Sequence, residues 1–67
     1  MMRTNTIYLM RTQGGWMADF SASDKAAEVD RLFKTTRLPT AFGPDEHPAR
    51  VIAEVRRMNP TAEVVAV

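Results

Sequence analysis

Gly14 and Gly15 interrupt the stretch IYLMRTQGGWMADF, residues 7–20, between two runs rich in strand-forming side chains. Ile7, Tyr8 and Thr12 precede them; Trp16 and Phe20 follow. Two glycines can both adopt the positive φ that a tight two-residue hairpin turn requires. A turn at Gly14-Gly15 sets Gln13 opposite Trp16, Arg11 opposite Ala18 and Leu9 opposite Phe20. Opposed residues share a face. One face of the hairpin then carries Ile7, Leu9, Arg11, Trp16, Ala18 and Phe20, and the other Tyr8, Met10, Thr12, Met17, Asp19 and Ser21. The first holds most of the large hydrophobes and is the expected core face. Arg11 can lay its stem over Trp16 and keep its charge in water. A three-residue loop without a bulge would move Trp16 and Phe20 to the Tyr8 face.

The rest of the chain must cover that face with little material. A chain of 67 residues buries only about 60% of its unfolded surface, and it contains no cysteine to form a disulfide or a thiolate metal site. With 45% hydrophobic and 25% charged residues the composition is that of a globular domain, read as one unit over residues 1–67. No apolar run approaches the roughly 20 residues of a membrane span. The opening MMRTNTIYLMRTQGG carries Arg11 in its apolar part and lacks a small-residue cleavage site, so it reads as a strand and not a signal peptide. The expected location is the cytoplasm. A net charge of +1 argues against a strong generic polyanion binder.

Beyond the hairpin, Ser21 or Ser23 can cap a helix running to about Phe33, with Asp24 favoured at its positive end. Ala26, Val29, Leu32 and Phe33 recur at helical spacing as its apolar stripe. Residues 35–44, TTRLPTAFGP, read as a linker in which Leu38 and Phe42 plug the end of the core. A second helix starts near Pro48 with Asp45 as cap candidate. Ala49, Ile52, Val55 and Met58 or Asn59 form its stripe, Val51 widens it, and Arg50 and Glu54 make a surface pair. Asn59-Pro60 ends it, with Asn59 suited to a left-handed cap. AEVVAV, residues 62–67, reads as a closing strand. The expected fold class is α+β: a two-layer sandwich in the order β-β-α-α-β. A three-stranded antiparallel sheet, order 2-1-3, has both helices on one face.

That layout leaves Tyr8, Met10 and Met17 on a helix-free face, together with either Val65/Val67 or Val64/Ala66. A modestly apolar, solvated sheet is the ordinary reading of such a face. The sharper one is a homodimer or partner surface, for which methionine and tyrosine are suited. The same face can be asked to stack nucleic-acid bases, but Tyr8 is its only expected aromatic, and Asp19 sits there with no Lys or Arg. Arg31, Lys34, Arg37, Arg56 and Arg57 offer a basic cluster where the two helices end, against the plainer role of complementing helix dipoles. Enzymatic chemistry has the least support. His47 is the only histidine. The contiguous Asp45-Glu46-His47 converges poorly on a metal, and helix capping accounts for it better. Ser21 and Ser23 have no legible base partner, and Gly14-Gly15 lacks the spacing of a phosphate loop. No cofactor or catalytic residue is implied.

Trp16-Met17-Ala18-Asp19-Phe20-Ser21, Leu32-Phe33 with Thr35, Leu38-Pro39-Thr40 with Phe42, and Asn59-Pro60 before Val64-Val65 resemble a set of small bacterial proteins of unknown function. The resemblance spans nearly the whole chain and implies a shared stand-alone fold. It implies Gly where this chain has Lys34 and Pro where it has Ala41. The combined expectation is a non-catalytic module that works by contact with a protein partner or, as a homodimer, with a second copy through the sheet face or the edge of a strand; weak nucleic-acid binding through the basic cluster is the alternative.

Overall fold

The structure, a computed structural model, describes residues 5–67. In chain order it contains β1 (Thr6–Thr12), β2 (Gly15–Asp19), α1 (Ala26–Phe33), β3 (Arg37–Pro39), α2 (Pro48–Met58) and β4 (Glu63–Ala66). The α+β class holds, but the sheet has four strands in the order β3-β2-β1-β4. It is mixed: β1 pairs antiparallel with β2, and β2 with β3, whereas β4 runs parallel to β1.

The hairpin forms one step away from the expected register. Thr12 pairs with Gly15, Arg11 with Trp16 and Leu9 with Ala18, so the turn residues are Gln13 and Gly14. The Thr12 hydroxyl accepts from Gly14 N–H at 3.2 Å and donates to Gly15 O at 2.6 Å, which closes the turn locally. Of the two glycines here, only Gly15 takes a left-handed-side φ, +135°. The slip moves each strand by one residue in opposite directions, so opposed residues keep their faces. Ile7, Leu9, Trp16 and Ala18 are therefore buried as expected.

The expected three-strand antiparallel layout fails in the segment read as a linker. Part of it forms β3, pairing Ala18 with Leu38. Phe20 N–H donates to Thr36 O and Thr40 N–H to Trp16 O, so the nitrogen of Pro39 lies on the outer edge, where proline is tolerated. β3 carries the chain back along the sheet, α2 returns it, and β4 then starts from the same end as β3 and β1. That makes a parallel connection between the two edge strands. It passes over β2 and β1 and lays α2 on the core face.

The core consists of Ile7, Leu9, Trp16 and Ala18 from the hairpin, Val51 and Val55 from α2, and Val64 from β4. Ile7, Leu9 and Val51 are fully buried, each stabilising the fold by about 1.5–3 kcal/mol. Trp16 is further fixed by its indole N–H, which donates to Glu46 O at 3.0 Å, and by the Arg11 guanidinium 4.8 Å above its ring. Phe42 is half-buried against the core, as expected; Leu38 is half-buried outside it.

The two helices do not share the core face. The main helix packing is α2 against β4, and α1 contributes no side chain to the core cluster. Thr6 N–H donates to Ala22 O, Asp24 N–H to the Asn5 side chain, and Lys25 Nζ to Asn59 Oδ1 at 2.8 Å. These bonds, with that between Phe20 and Thr36, hold α1 at the end of the sheet where β1 begins. Of its expected stripe only Val29 is buried; Leu32 and Phe33 are exposed.

Several caps differ from expectation. The N-cap of α1 is Lys25, without a side-chain cap, while the Ser23 hydroxyl accepts from Lys25 N–H one turn earlier. Lys34 closes the helix in the left-handed conformation, φ 63°, with its N–H on Asp30 O. This is the place where the resemblance implies Gly. For α2, His47 and not Asp45 is the cap: its Nδ1 accepts from Ala49 N–H at 3.1 Å, and Pro48 opens the helix. Asn59 is extended (φ −135°) and not left-handed. It is buried and donates to Val55 O at 2.9 Å. The surface pairs of α2 are Glu46 with Arg50 and Glu54 with Arg57, replacing the expected Arg50–Glu54 pair.

Candidate protein-contact surfaces

The register builds two rows across the sheet face that lies opposite α2. Pro39, Met17 and Met10 stand side by side, and Val67, whose N–H donates to Leu9 O at 2.9 Å, extends the row next to Met10. The neighbouring row is Arg37, Asp19, Tyr8 and Val65. Strand spacing makes each row about 14 Å wide. Tyr8, Met10 and Met17 thus lie on one face, and the valine pair left open by pattern alone is Val65/Val67. Tyr8 is 38% and Val67 73% exposed; Met10, Met17 and Val65 are half-buried.

A cation does lie on this face, contrary to the sequence expectation, because β3 brings Arg37 within 3.6 Å of Asp19. The Asp19 carboxylate also accepts from Ser21 N–H at 2.9 Å. That hydrogen bond first, then the Ser21 hydroxyl and lastly Arg37 hold its carboxyl below the ordinary value of 3.8, against the opposing effect of burial. The face therefore presents an apolar row beside a matched ion pair.

The opposite side carries a feature the sequence reading did not find. A helix about 10 Å across cannot cover four strands. With α2 set over β4 and β1, the core face stays open toward β2 and β3. The result is a groove of about 840 Å³ lined by Phe20, Leu38 and Phe42 on one wall and by Ala53 and Met58 of α2 on the other. Met58 is 59% exposed. Arg50, Glu54 and Arg57 stand along it. Arg57 donates to both oxygens of Glu54, which lowers the carboxyl and raises the guanidinium pKa. The legible signal was a surplus of apolar residues, Phe20, Leu38, Phe42 and Met58, all assigned to a core that a single covering helix cannot close around.

The five basic residues are spread out. The Lys25–Asn59 bond sets the end of α2 beside the beginning of α1, so the far end of α1, with Arg31 and Lys34, lies about 12 Å further on. Arg37 belongs to the opposite sheet face and is matched by Asp19, and Arg57 by Glu54. Arg56 is exposed on the last turn of α2. His47 is occupied as a cap, and no group of three His, Cys, Asp or Glu side chains that could hold a metal exists among the described residues. Ser23 is bound within its own turn, to Phe20 O and Lys25 N–H. No described helix is long and apolar enough to cross a membrane.

Comparison with protein-family models, curated proteins and solved structures finds no match for the chain. The surfaces themselves carry the functional argument.

Proposed function

We propose that this protein is a non-catalytic cytoplasmic module that works by protein contact, presenting Tyr8, Met10 and Met17 to a protein partner. The observation that carries this reading is the row Pro39–Met17–Met10–Val67, with Tyr8 and Val65 alongside. Methionine side chains adapt to an opposing surface, and tyrosine is enriched where proteins meet. A contiguous apolar patch on a small monomer commonly marks such a site. The adjacent Asp19–Arg37 pair adds a polar edge that orients a partner without giving the face net charge.

The test is a photo-reactive phenylalanine analogue at Met17, introduced into the protein in its native cell. Illumination should give a discrete protein adduct, whose mass also tells whether the partner is a second copy. Met10→Glu should abolish the adduct while circular dichroism of the purified variant stays unchanged. An absent adduct, or one that survives Met10→Glu, would mean that this face is not the contact.

A further inference from the structure

We propose that a second copy of this chain occupies the groove between α2 and the β2–β3 side of the sheet, inserting Leu32 and Phe33 of its α1, reciprocally in both directions. This interface lies apart from the sheet face described above. The chain carries both halves of the contact. The groove is concave, apolar and open, with Phe20, Leu38, Phe42, Ala53 and Met58 on its walls. The ridge is the last turn of α1, where Leu32 and Phe33 stand together on the surface while Val29, one turn earlier, is buried in its own chain. Leu32 is 60% and Phe33 56% exposed, so the described part of the same chain leaves most of both uncovered.

Placement allows the exchange to close. Thr36, three residues beyond Phe33, accepts from Phe20 N–H at 2.8 Å, and Phe20 lines the groove. Ridge and groove are therefore neighbours at one end of the sheet. A two-fold axis between them sets each α1 against the other chain's groove, giving a closed dimer and not a filament.

The charges are compatible. Glu28 and Asp30 flank the ridge, and Arg50 and Arg57 stand at the groove. Because Arg50 and Arg57 already have carboxylate partners, the contact is mainly apolar and its affinity should change little with salt.

The experiment is solution mass by light scattering across protein concentration, on the wild type, Phe33→Glu, Ala53→Lys and Met10→Glu. Wild type and Met10→Glu are expected to be dimers at low and high salt. Phe33 and Ala53 are exposed, so their variants should stay folded by circular dichroism. Each alone should raise the dimer dissociation constant by about 100-fold or more, because a buried charge is left unpaired. An equimolar mixture of the two variants should recover a dimer. One of its two contacts is then wild type, and the other sets the introduced glutamate against the introduced lysine.

A monomeric wild type would overturn the proposal. So would a dimer lost in Met10→Glu but kept in Phe33→Glu, which would assign self-association to the sheet face. Two monomeric variants that fail to complement would show that α1 and the groove do not meet. Binding of a different partner to the sheet face is read separately, by the cross-linking at Met17.

Discussion

Gly14 and Gly15 are equivalent by residue type, yet their surroundings call for opposite responses to the same substitution. At Gly15 the backbone has φ +135°, and a Cβ would lie 2.7 Å from Phe42 O. Holding a non-glycine residue there costs about 1–3 kcal/mol. The carbonyl cannot give way freely, since it accepts from Trp16 N–H at 3.0 Å and belongs to the segment that continues β3. Overpacking adds about 1–3 kcal/mol, and loss of the displaced hydrogen bond about 1 kcal/mol. Gly15→Ala should therefore destabilise by about 3–7 kcal/mol, out of a total of about 3–10 kcal/mol for a domain of this size. At Gly14 the nearest atom to an added Cβ is Thr12 Oγ1 at 3.9 Å, and φ is not left-handed. Gly14→Ala should fall within about 0.5 kcal/mol of the wild type. Urea unfolding followed by Trp16 fluorescence is a direct assay, because the indole is buried and bound to Glu46 O. Gly15→Ala should be largely unfolded or unfold at much lower urea, with Gly14→Ala near the wild-type midpoint. A Gly15→Ala variant within about 1 kcal/mol of wild type, or equal losses at the two sites, would refute the turn geometry and the Phe42 approach.

Two other outcomes follow from single residues. Lys34→Gly should stabilise the protein. It relieves about 1–2 kcal/mol of left-handed strain at φ 63° against about 0.5–1 kcal/mol of added unfolded-state freedom. The net gain, up to about 1.5 kcal/mol, should raise Tm by a few degrees, and Lys34→Val should lower it. Asp19 has a folded pKa below its unfolded value, so its stabilising contribution is present above the ordinary carboxylate pKa of 3.8. It is lost as pH falls below that toward the folded pKa. Tm measured against pH should show less acid sensitivity in that window for Asp19→Asn than for the wild type; identical profiles would argue against a stabilising role for the Ser21 and Arg37 contacts.

Much of the hairpin was legible because side-chain alternation survives a register error of this kind. The turn sits at Gln13-Gly14 and not Gly14-Gly15, yet Ile7, Leu9, Trp16 and Ala18 remain on one face. The body of α2 was legible for a similar reason: Val51 and Val55 fall on its inward side, and Pro48 can stand only near its start. Its cap was harder, since Asp45, Glu46 and His47 are all able to accept a backbone N–H, and the angle at which the chain reaches Pro48 selects His47.

β3 was hidden because three residues, one of them proline, carry almost no strand signal of their own. They are extended because β2 offers an open edge to the chain passing it. The consequences run through the whole site. That extra strand reverses the chain direction, makes β4 parallel, brings Arg37 to Asp19 and widens the sheet beyond what α2 covers. α1 shows the same limit from the other side. Val29, Leu32 and Phe33 announce an amphipathic helix, but not which surface it will meet.

Local periodicity and turn chemistry thus determined the faces of the hairpin, the inward stripe of α2 and most of the core, because each depends on residues within a few positions of one another. Only the tertiary structure decided the pairing of β3, the direction of β4, the seat of α1 and hence the groove. These depend on distant segments competing for the same sheet edges and the same apolar face, and that competition is settled by which arrangement satisfies the most backbone bonds and buries the most surface together.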